Sequence, residues 1–119
     1  MVAYRGWVAF GALVGFLAVM AAAFAAHGAA DAVAARARAS AAQMLGWHAL
    51  AIVACGLWGA QGGWLTHAAA ALFALGLLLF CGAVYVPAFG GPSLGMTAPV
   101  GGSLLMLGWI ALGSSALLR

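Results

Sequence analysis

The chain has 119 residues, of which 68% are hydrophobic and 4% are charged, and its mean hydropathy is +1.19. Soluble domains carry roughly 25% charged residues, so lipid must be the solvent for most of this surface, and residues 1–119 are predicted to form a single integral membrane domain. Four arginines and one aspartate account for the net charge of +3 without forming a basic run, which excludes a nucleic-acid-binding role.

Four apolar windows fill the chain. A hydrocarbon core about 30 Å thick needs roughly 20 helical residues to cross it, and windows of about this length cover residues 7–27, 43–60, 65–86 and 99–118. The predicted fold is therefore all-α, an integral membrane four-helix bundle. A secretory signal peptide is the alternative for the first window, because the stretch Ala21–Ala26 resembles a cleavage region. We favour a retained helix.

Small residues form a seam along the first window. At about 100° per residue, one narrow arc of the helix contains Gly11, Gly15, Ala18, Ala22, Ala25 and Ala29. Such a seam lets a second helix backbone approach closely, which is how helices associate in lipid. Gly11 and Gly15 are therefore predicted to be structural, whereas His27 lies on the opposite side of the helix.

Residues 29–42 interrupt the apolar windows with Asp31, Arg36 and Arg38. Each arginine would cost about 2.5–3.5 kcal/mol at the bilayer centre, so this segment is predicted to be a short loop or an interfacial helix. We expect its three charged side chains to be solvated or paired at the surface, and a proton relay is the less favoured alternative.

The Gln61-Gly62-Gly63 turn predicts an antiparallel hairpin of the second and third windows. The third window carries two stripes. One is predicted to face the bundle interior and contains His67, Ala71, Ala74, Leu78, Cys81 and Tyr85. The other is predicted to face lipid and contains Leu72, Phe73, Leu77 and Phe80. Pro87 is predicted to end this helix.

An irregular, uncharged loop is predicted for residues 87–99, and the fourth window is expected to begin near Pro99 with Thr97 as a capping residue. Gly101 lies on one face of this helix. With four crossings both termini share a side, and the arginines divide equally, with Arg5 and Arg119 on one side and Arg36 and Arg38 on the other. The positive-inside rule therefore leaves the orientation open.

Three histidines in a membrane protein invite a haem, metal or proton-path interpretation, because ionisable groups in membranes are often functional. His67 begins the third window on the side opposite His27 and His48, which excludes a three-histidine site. His27 and His48, with Gln43 nearby, are the candidates for binding haem, quinone or a metal ion. Their predicted depths differ, so no cofactor is predicted, and histidines hydrogen-bonded within the protein are favoured.

Cys55 and Cys81 are predicted to be packing residues, because their predicted depths differ by roughly 15 Å and a disulfide needs Cα atoms about 4.4–6.8 Å apart. No constellation for nucleophilic catalysis is present, since Asp31 is the only acidic residue. An enzyme is therefore the less favoured interpretation. We expect an accessory, assembly or lipid-organising membrane component, whose partners are membrane lipids and a larger membrane complex or further copies of itself.

Three segments in sequence resemble the YgdD-like family of small inner-membrane proteins. Residues 22–28 resemble its G-A-F-G-A-H-G segment, residues 43–51 its Q-x-x-x-x-H-A-L-A segment, and residues 97–102 its T-P-I-G-G segment. The resemblance implies a four-helix protein of the bacterial cytoplasmic (inner) membrane, with a related small mitochondrial transmembrane protein in animals. It implies no reaction, cofactor or substrate.

By this resemblance, the positions expected to matter are His27, Gln43, His48 and the four consecutive residues Pro99, Val100, Gly101 and Gly102. The chain departs from the pattern at two places in the first segment, where alanine replaces glycine. Its first loop is also richer in alanine, and poorer in charges of both signs, than that of the relatives. A partner contact through that loop is therefore not carried over.

Overall fold

The computed structural model describes the backbone of residues 2–118 and the side chains of residues 4–118. It contains four helices, α1 (Val2–Ala25), α2 (Ala32–Gly62), α3 (Trp64–Ala88) and α4 (Thr97–Leu117). All four are long and apolar enough to cross a membrane. The prediction of an all-α four-helix membrane fold is confirmed. Arg119, one of the four arginines in the orientation argument, lies outside the described residues.

The four helices form two hairpins that meet along α2 and α3. Helix α1 packs along α2, and α4 packs along α3. Gly11 and Gly15 of the predicted seam face α2, where a Cβ atom placed on Gly11 would lie 2.9 Å from the backbone nitrogen of Val53, whereas Ala29 of the seam lies beyond the end of α1. A Cβ on Gly56 of α2 would lie 2.8 Å from the carbonyl oxygen of Tyr4 on α1. Glycines on both helices thus allow the close approach.

Helix α2 is longer than the sequence predicted. It begins at Ala32 rather than near residue 43, so residues 32–42 are its first turns and not a separate loop or interfacial helix. The alanines of this segment have the highest helix propensity. At 1.5 Å per residue, the 31 residues of α2 span about 46 Å, more than the roughly 30 Å hydrocarbon core. The charged N-terminal end of α2 can therefore lie at headgroup depth while the rest of the same helix crosses the hydrocarbon core.

Asp31 caps α2, because its Oδ1 atom accepts a hydrogen bond of 2.8 Å from the backbone nitrogen of Ala34. We expect Asp31→Ala to destabilise the first turn by about 1 kcal/mol and to speed amide hydrogen exchange at Ala34. Asp31→Asn is the control, since it keeps the acceptor oxygen. Equal exchange rates in the wild type and Asp31→Ala would show that the cap does not hold this turn.

The turn between α2 and α3 is tight. Gly63, at φ 67°, separates Gly62 from Trp64, and glycine adopts this left-handed conformation without steric cost. The predicted hairpin is confirmed. Cys55 and Cys81 are both buried free thiols, so the prediction that they are packing residues is confirmed as well.

The two faces predicted for α3 are wrong in part. Phe73 is fully buried and Leu77 is 5% exposed, although both were assigned to the lipid face, and Leu78 is 69% exposed, although it was assigned to the interior. Gly108 of α4 explains the burial of Phe73, since a Cβ on Gly108 would lie 2.6 Å from the phenylalanine ring. The missing side chain on α4 makes room for the ring.

Both ends of the α3–α4 connection differ slightly from the prediction. Pro87 lies inside the last turn of α3, which continues to Ala88. Helix α4 begins at Thr97 rather than at Pro99. The hydroxyl of Thr97 donates to the Leu94 carbonyl oxygen at 2.8 Å, so it is not the capping acceptor. This hydrogen bond instead joins the first residue of α4 to Leu94 in the preceding loop.

Candidate functional site

His48 is the most deeply buried polar feature of α2, with 3% of its surface exposed. Its Nδ1 atom lies 2.7 Å from the Met44 carbonyl oxygen, and its Nε2 atom accepts a hydrogen bond of 3.0 Å from the indole nitrogen of Trp109 on α4. Because an indole N–H can only donate, Nε2 must be the acceptor and Nδ1 carries the proton. Both nitrogens of a neutral imidazole are thus used.

An aromatic cluster surrounds this histidine. The ring of His48 lies 5.4 Å from that of Phe73 on α3 and 5.7 Å from that of Trp109, and Phe73 and Trp109 meet edge to face at 5.2 Å. These distances fall in the range of favourable aromatic pairs. The cluster joins three helices at one depth, so His48 acts in the packing of the bundle.

Two further tryptophans make the same kind of contact toward the other end of the bundle. The indole of Trp7 donates to Nδ1 of His67 at 2.9 Å, and Tyr4 stacks on the same imidazole at 5.1 Å. The indole of Trp58 donates to the Ser115 hydroxyl at 3.1 Å, which in turn donates to a carbonyl of α4 at 2.6 Å. The sequence analysis did not predict the hydrogen-bond acceptors of Trp7, Trp58 and Trp109, which are His67, Ser115 and His48. The available signal was that an indole N–H in an apolar helix needs an acceptor.

The structure does not bring the candidate ligands together. His27 is exposed in the turn after α1, where its carbonyl oxygen accepts a hydrogen bond of 3.2 Å from Arg38. Gln43 is exposed beside alanines of α1 and α2, whereas His48 is buried among α3 and α4 side chains. Among residues 2–118, no group of three or more His, Cys, Asp or Glu side chains could hold a metal ion.

A haem or metal ion does not fit His48 as it stands. Ligation needs a free lone pair on one imidazole nitrogen, and the Nε2 lone pair accepts from Trp109 while Nδ1 donates to Met44. A quinone oxygen would likewise have to displace the Met44 carbonyl from the Nδ1 proton. The arrangement holds helices together and offers no open coordination position at this residue.

The T-P-I-G-G-like segment lies at the start of α4. Gly101 is buried against α3, where a Cβ would lie 2.6 Å from the backbone nitrogen of Phe80 and 2.8 Å from the carbonyl oxygen of Gly76. A Cβ on Gly102 would meet nothing within 4 Å in the described part of the chain. Pro99 is exposed, and its carbonyl accepts from the Ser103 hydroxyl at 2.9 Å. Gly101 is therefore the member of this segment in close helix contact.

The three charged residues at the start of α2 have separate surroundings. Asp31 caps α2, and Arg36 is exposed. Arg38 is half-buried, and its guanidinium lies 4.2 Å over the ring of Phe24 on α1. Its Nε atom is buried without a hydrogen-bond partner among the described residues. The sequence analysis expected this arginine to be solvated or paired at the surface, and it did not predict the contact with Phe24 because that ring belongs to another helix.

Comparison with known proteins assigns the chain to a family. Residues 21–102 match the family described as "Protein of unknown function (DUF423)". The chain belongs to this family. The match runs from the end of α1 to the start of α4, so it includes His27, Gln43, His48 and Gly101. The family description assigns no biochemical activity, and no solved structure matches the chain.

Proposed function

We propose that this family member is a non-enzymatic membrane component with an accessory, assembly or lipid-organising role. The observation that carries the proposal is that both ring nitrogens of the buried His48 are already hydrogen-bonded within the protein. This imidazole is the best candidate for chemistry in the sequence. Its Nδ1 atom is hydrogen-bonded to the Met44 carbonyl oxygen, and its Nε2 atom accepts a hydrogen bond from Trp109. A side chain so engaged supports helix packing rather than turnover of a substrate.

The location and the finer family assignment are part of the same proposal. The three segments that resemble the YgdD-like proteins support placement in the bacterial inner membrane, and they support kinship with the small mitochondrial transmembrane protein. Large apolar side chains are exposed on every helix, among them Val19, Leu57, Leu78 and Ile110. These side chains suit contact with lipid, a larger membrane complex or further copies of the chain.

The test is native mass spectrometry of protein extracted from its own membranes in mild detergent, combined with a visible absorption spectrum. We expect a colourless protein without a haem or metal mass increment, retaining lipid, copies of itself or a foreign subunit. His27→Ala should leave the bound species and the unfolding midpoint unchanged, because the side chain is exposed in a turn.

A visible band or metal mass that disappears in His48→Ala but persists in His67→Gln would overturn the proposal. His67 is the matched control, since it is also an imidazole that accepts from a tryptophan, on a different pair of helices. Substrate turnover by the reconstituted protein that His48→Ala silences would overturn it equally.

A further inference from the structure

A cavity lined by charges of both signs lies where α2 begins and α3 ends. Its volume is about 370 Å³, and its lining includes Asp31 and Arg38 from the start of α2 and Ala83, Pro87 and Ala88 from the end of α3. Short alanine side chains leave this space open between the two helices. Because the charged end of α2 can lie at headgroup depth, the cavity can lie beside the headgroups of phospholipids.

Arg38 brings hydrogen-bond donors to this cavity. A guanidinium carries five N–H groups, of which one on the Nη1 atom of Arg38 is donated to the His27 carbonyl oxygen at 3.2 Å. The Nε atom is buried against the protein, so the donors that remain for a ligand are those on the two terminal nitrogens. The ring of Phe24, 4.2 Å from the guanidinium carbon, supports its position. A planar array of donors of this kind suits the oxygens of a phosphate.

Asp31 brings a negative charge to the same cavity. Its Oδ1 atom accepts from the Ala34 nitrogen at 2.8 Å, and a carboxylate has a second oxygen that can accept as well. The residue is exposed, so a cation at headgroup depth can reach it. Pro87 has no N–H to donate to the carbonyl oxygen four residues earlier, and that residue, Ala83, also lines the cavity. Acceptors suited to an ammonium group therefore lie in one cavity with a guanidinium suited to a phosphate.

We propose that this cavity binds the headgroup of an ethanolamine phospholipid, whose phosphate accepts from Arg38 and whose primary ammonium donates to Asp31. This headgroup carries one negative and one positive charge joined by two carbon atoms, which complements one guanidinium and one carboxylate in the same cavity. An anionic headgroup without an ammonium would leave Asp31 without a counter-charge, and a choline headgroup has no N–H to donate. The inference rests on the lipid-organising form of the proposed function and names its ligand.

The first test measures headgroup preference. Purified, delipidated protein is incubated with equal amounts of phosphatidylethanolamine and phosphatidylcholine that carry identical acyl chains, and retained lipid is weighed by native mass spectrometry. Both lipids are zwitterionic, so they differ only in the N–H donors and the size of the ammonium group. We expect about fivefold more of the ethanolamine lipid on the wild type. Asp31→Asn, which keeps the acceptor oxygen that caps α2, should bring the ratio near one.

The second test addresses the phosphate and the space around it. Arg38→Gln should lower the retention of both lipids severalfold, because both carry a phosphate, whereas Arg36→Gln removes the same charge from an exposed position outside the cavity and should leave retention intact. Ala37→Leu places a larger side chain in the cavity lining and should also lower retention. Ala39→Leu is its control, since Ala39 is exposed on the α1 side of the same helix. Circular dichroism and gel filtration verify that each variant is folded.

Four results would overturn the headgroup site. They are a wild type that retains the two lipids equally, an Asp31→Asn variant that keeps the preference, equal losses in Arg36→Gln and Arg38→Gln, and undiminished binding in folded Ala37→Leu. A dimer that separates in Asp31→Asn while lipid retention stays unchanged would assign the cavity to a second copy of the chain. If Ala37→Leu does not fold, the aspartate and arginine variants decide alone. None of these results touches the non-enzymatic proposal, which fails only on a chromophore, a metal or turnover that depends on His48.

Discussion

Gly101→Ala is expected to destabilise the protein by about 1–3 kcal/mol, the usual cost of overpacking a close contact. The added Cβ would lie 2.6 Å from the Phe80 nitrogen and 2.8 Å from the Gly76 carbonyl oxygen. Both are backbone atoms of α3, so no side chain can rotate to relieve the clash, and the two helices must separate. Unfolding in mixed micelles with a denaturing detergent, followed by tryptophan fluorescence, measures the loss.

The neighbouring residue supplies the control for this experiment. Gly102→Ala makes the same chemical change one position along α4, where no atom of the described chain lies within 4 Å of the new Cβ. Because alanine favours a helix over glycine by about 1 kcal/mol, this variant should be as stable as the wild type or slightly more so. Equal destabilisation of both variants would show that Gly101 is not the close contact between α3 and α4.

His48→Ala is expected to have the largest effect of any single histidine substitution, about 2–5 kcal/mol, as for large core side chains truncated to alanine. The variant loses the aromatic contacts to Phe73 and Trp109 and leaves the Trp109 indole without its acceptor. The same micellar unfolding assay measures the change. A value close to zero would contradict a structural role for His48.

A double-mutant cycle separates the hydrogen bond from the packing. Trp109→Phe keeps most of the ring but removes the donor to His48, and the coupling energy between the two substitutions should be about 0.6–1.7 kcal/mol, as for hydrogen bonds between membrane helices. Trp64→Phe is the control, since Trp64 is 75% exposed, and its effect should lie within about 0.5 kcal/mol. A coupling energy of zero would mean that the His48–Trp109 hydrogen bond does not form in lipid.

Part of the candidate site was accessible from the sequence. Gly11 and Gly101 were singled out by their spacing and by a family resemblance, and both lie where a Cβ would meet the backbone of a neighbouring helix. A site formed by His27 and His48 together was the less favoured alternative from the sequence, and the fold leaves His27 exposed in a turn and His48 buried. Depth along a helix can be counted from residues, but the direction of a side chain depends on which helices pack on each side.

The first turns of α2 show where sequence reasoning failed and why. The arginines of residues 29–42 were taken to separate this segment from the second crossing, whereas α2 runs through it without a break from Ala32. Charge determines depth in the membrane, whereas helix extent depends on capping and propensity. Asp31 and the alanines supply both. Because α2 is longer than the hydrocarbon core is thick, its arginines can lie outside the core although they belong to the helix.

The sequence by itself determined the class of the protein, the number of helices and the absence of a disulfide, because apolar length in lipid and depth along a helix can be counted. Only the tertiary structure decided the partners of His48 and His67, which are 61 and 60 residues away in the chain. It also decided that Phe73 faces inward, against Gly108, and that Arg38 lies over the ring of Phe24. Such contacts depend on how the helices of the two hairpins are rotated and shifted against one another. Because the faces of these helices are almost uniformly apolar, the sequence contains no pattern from which that rotation and shift could be predicted.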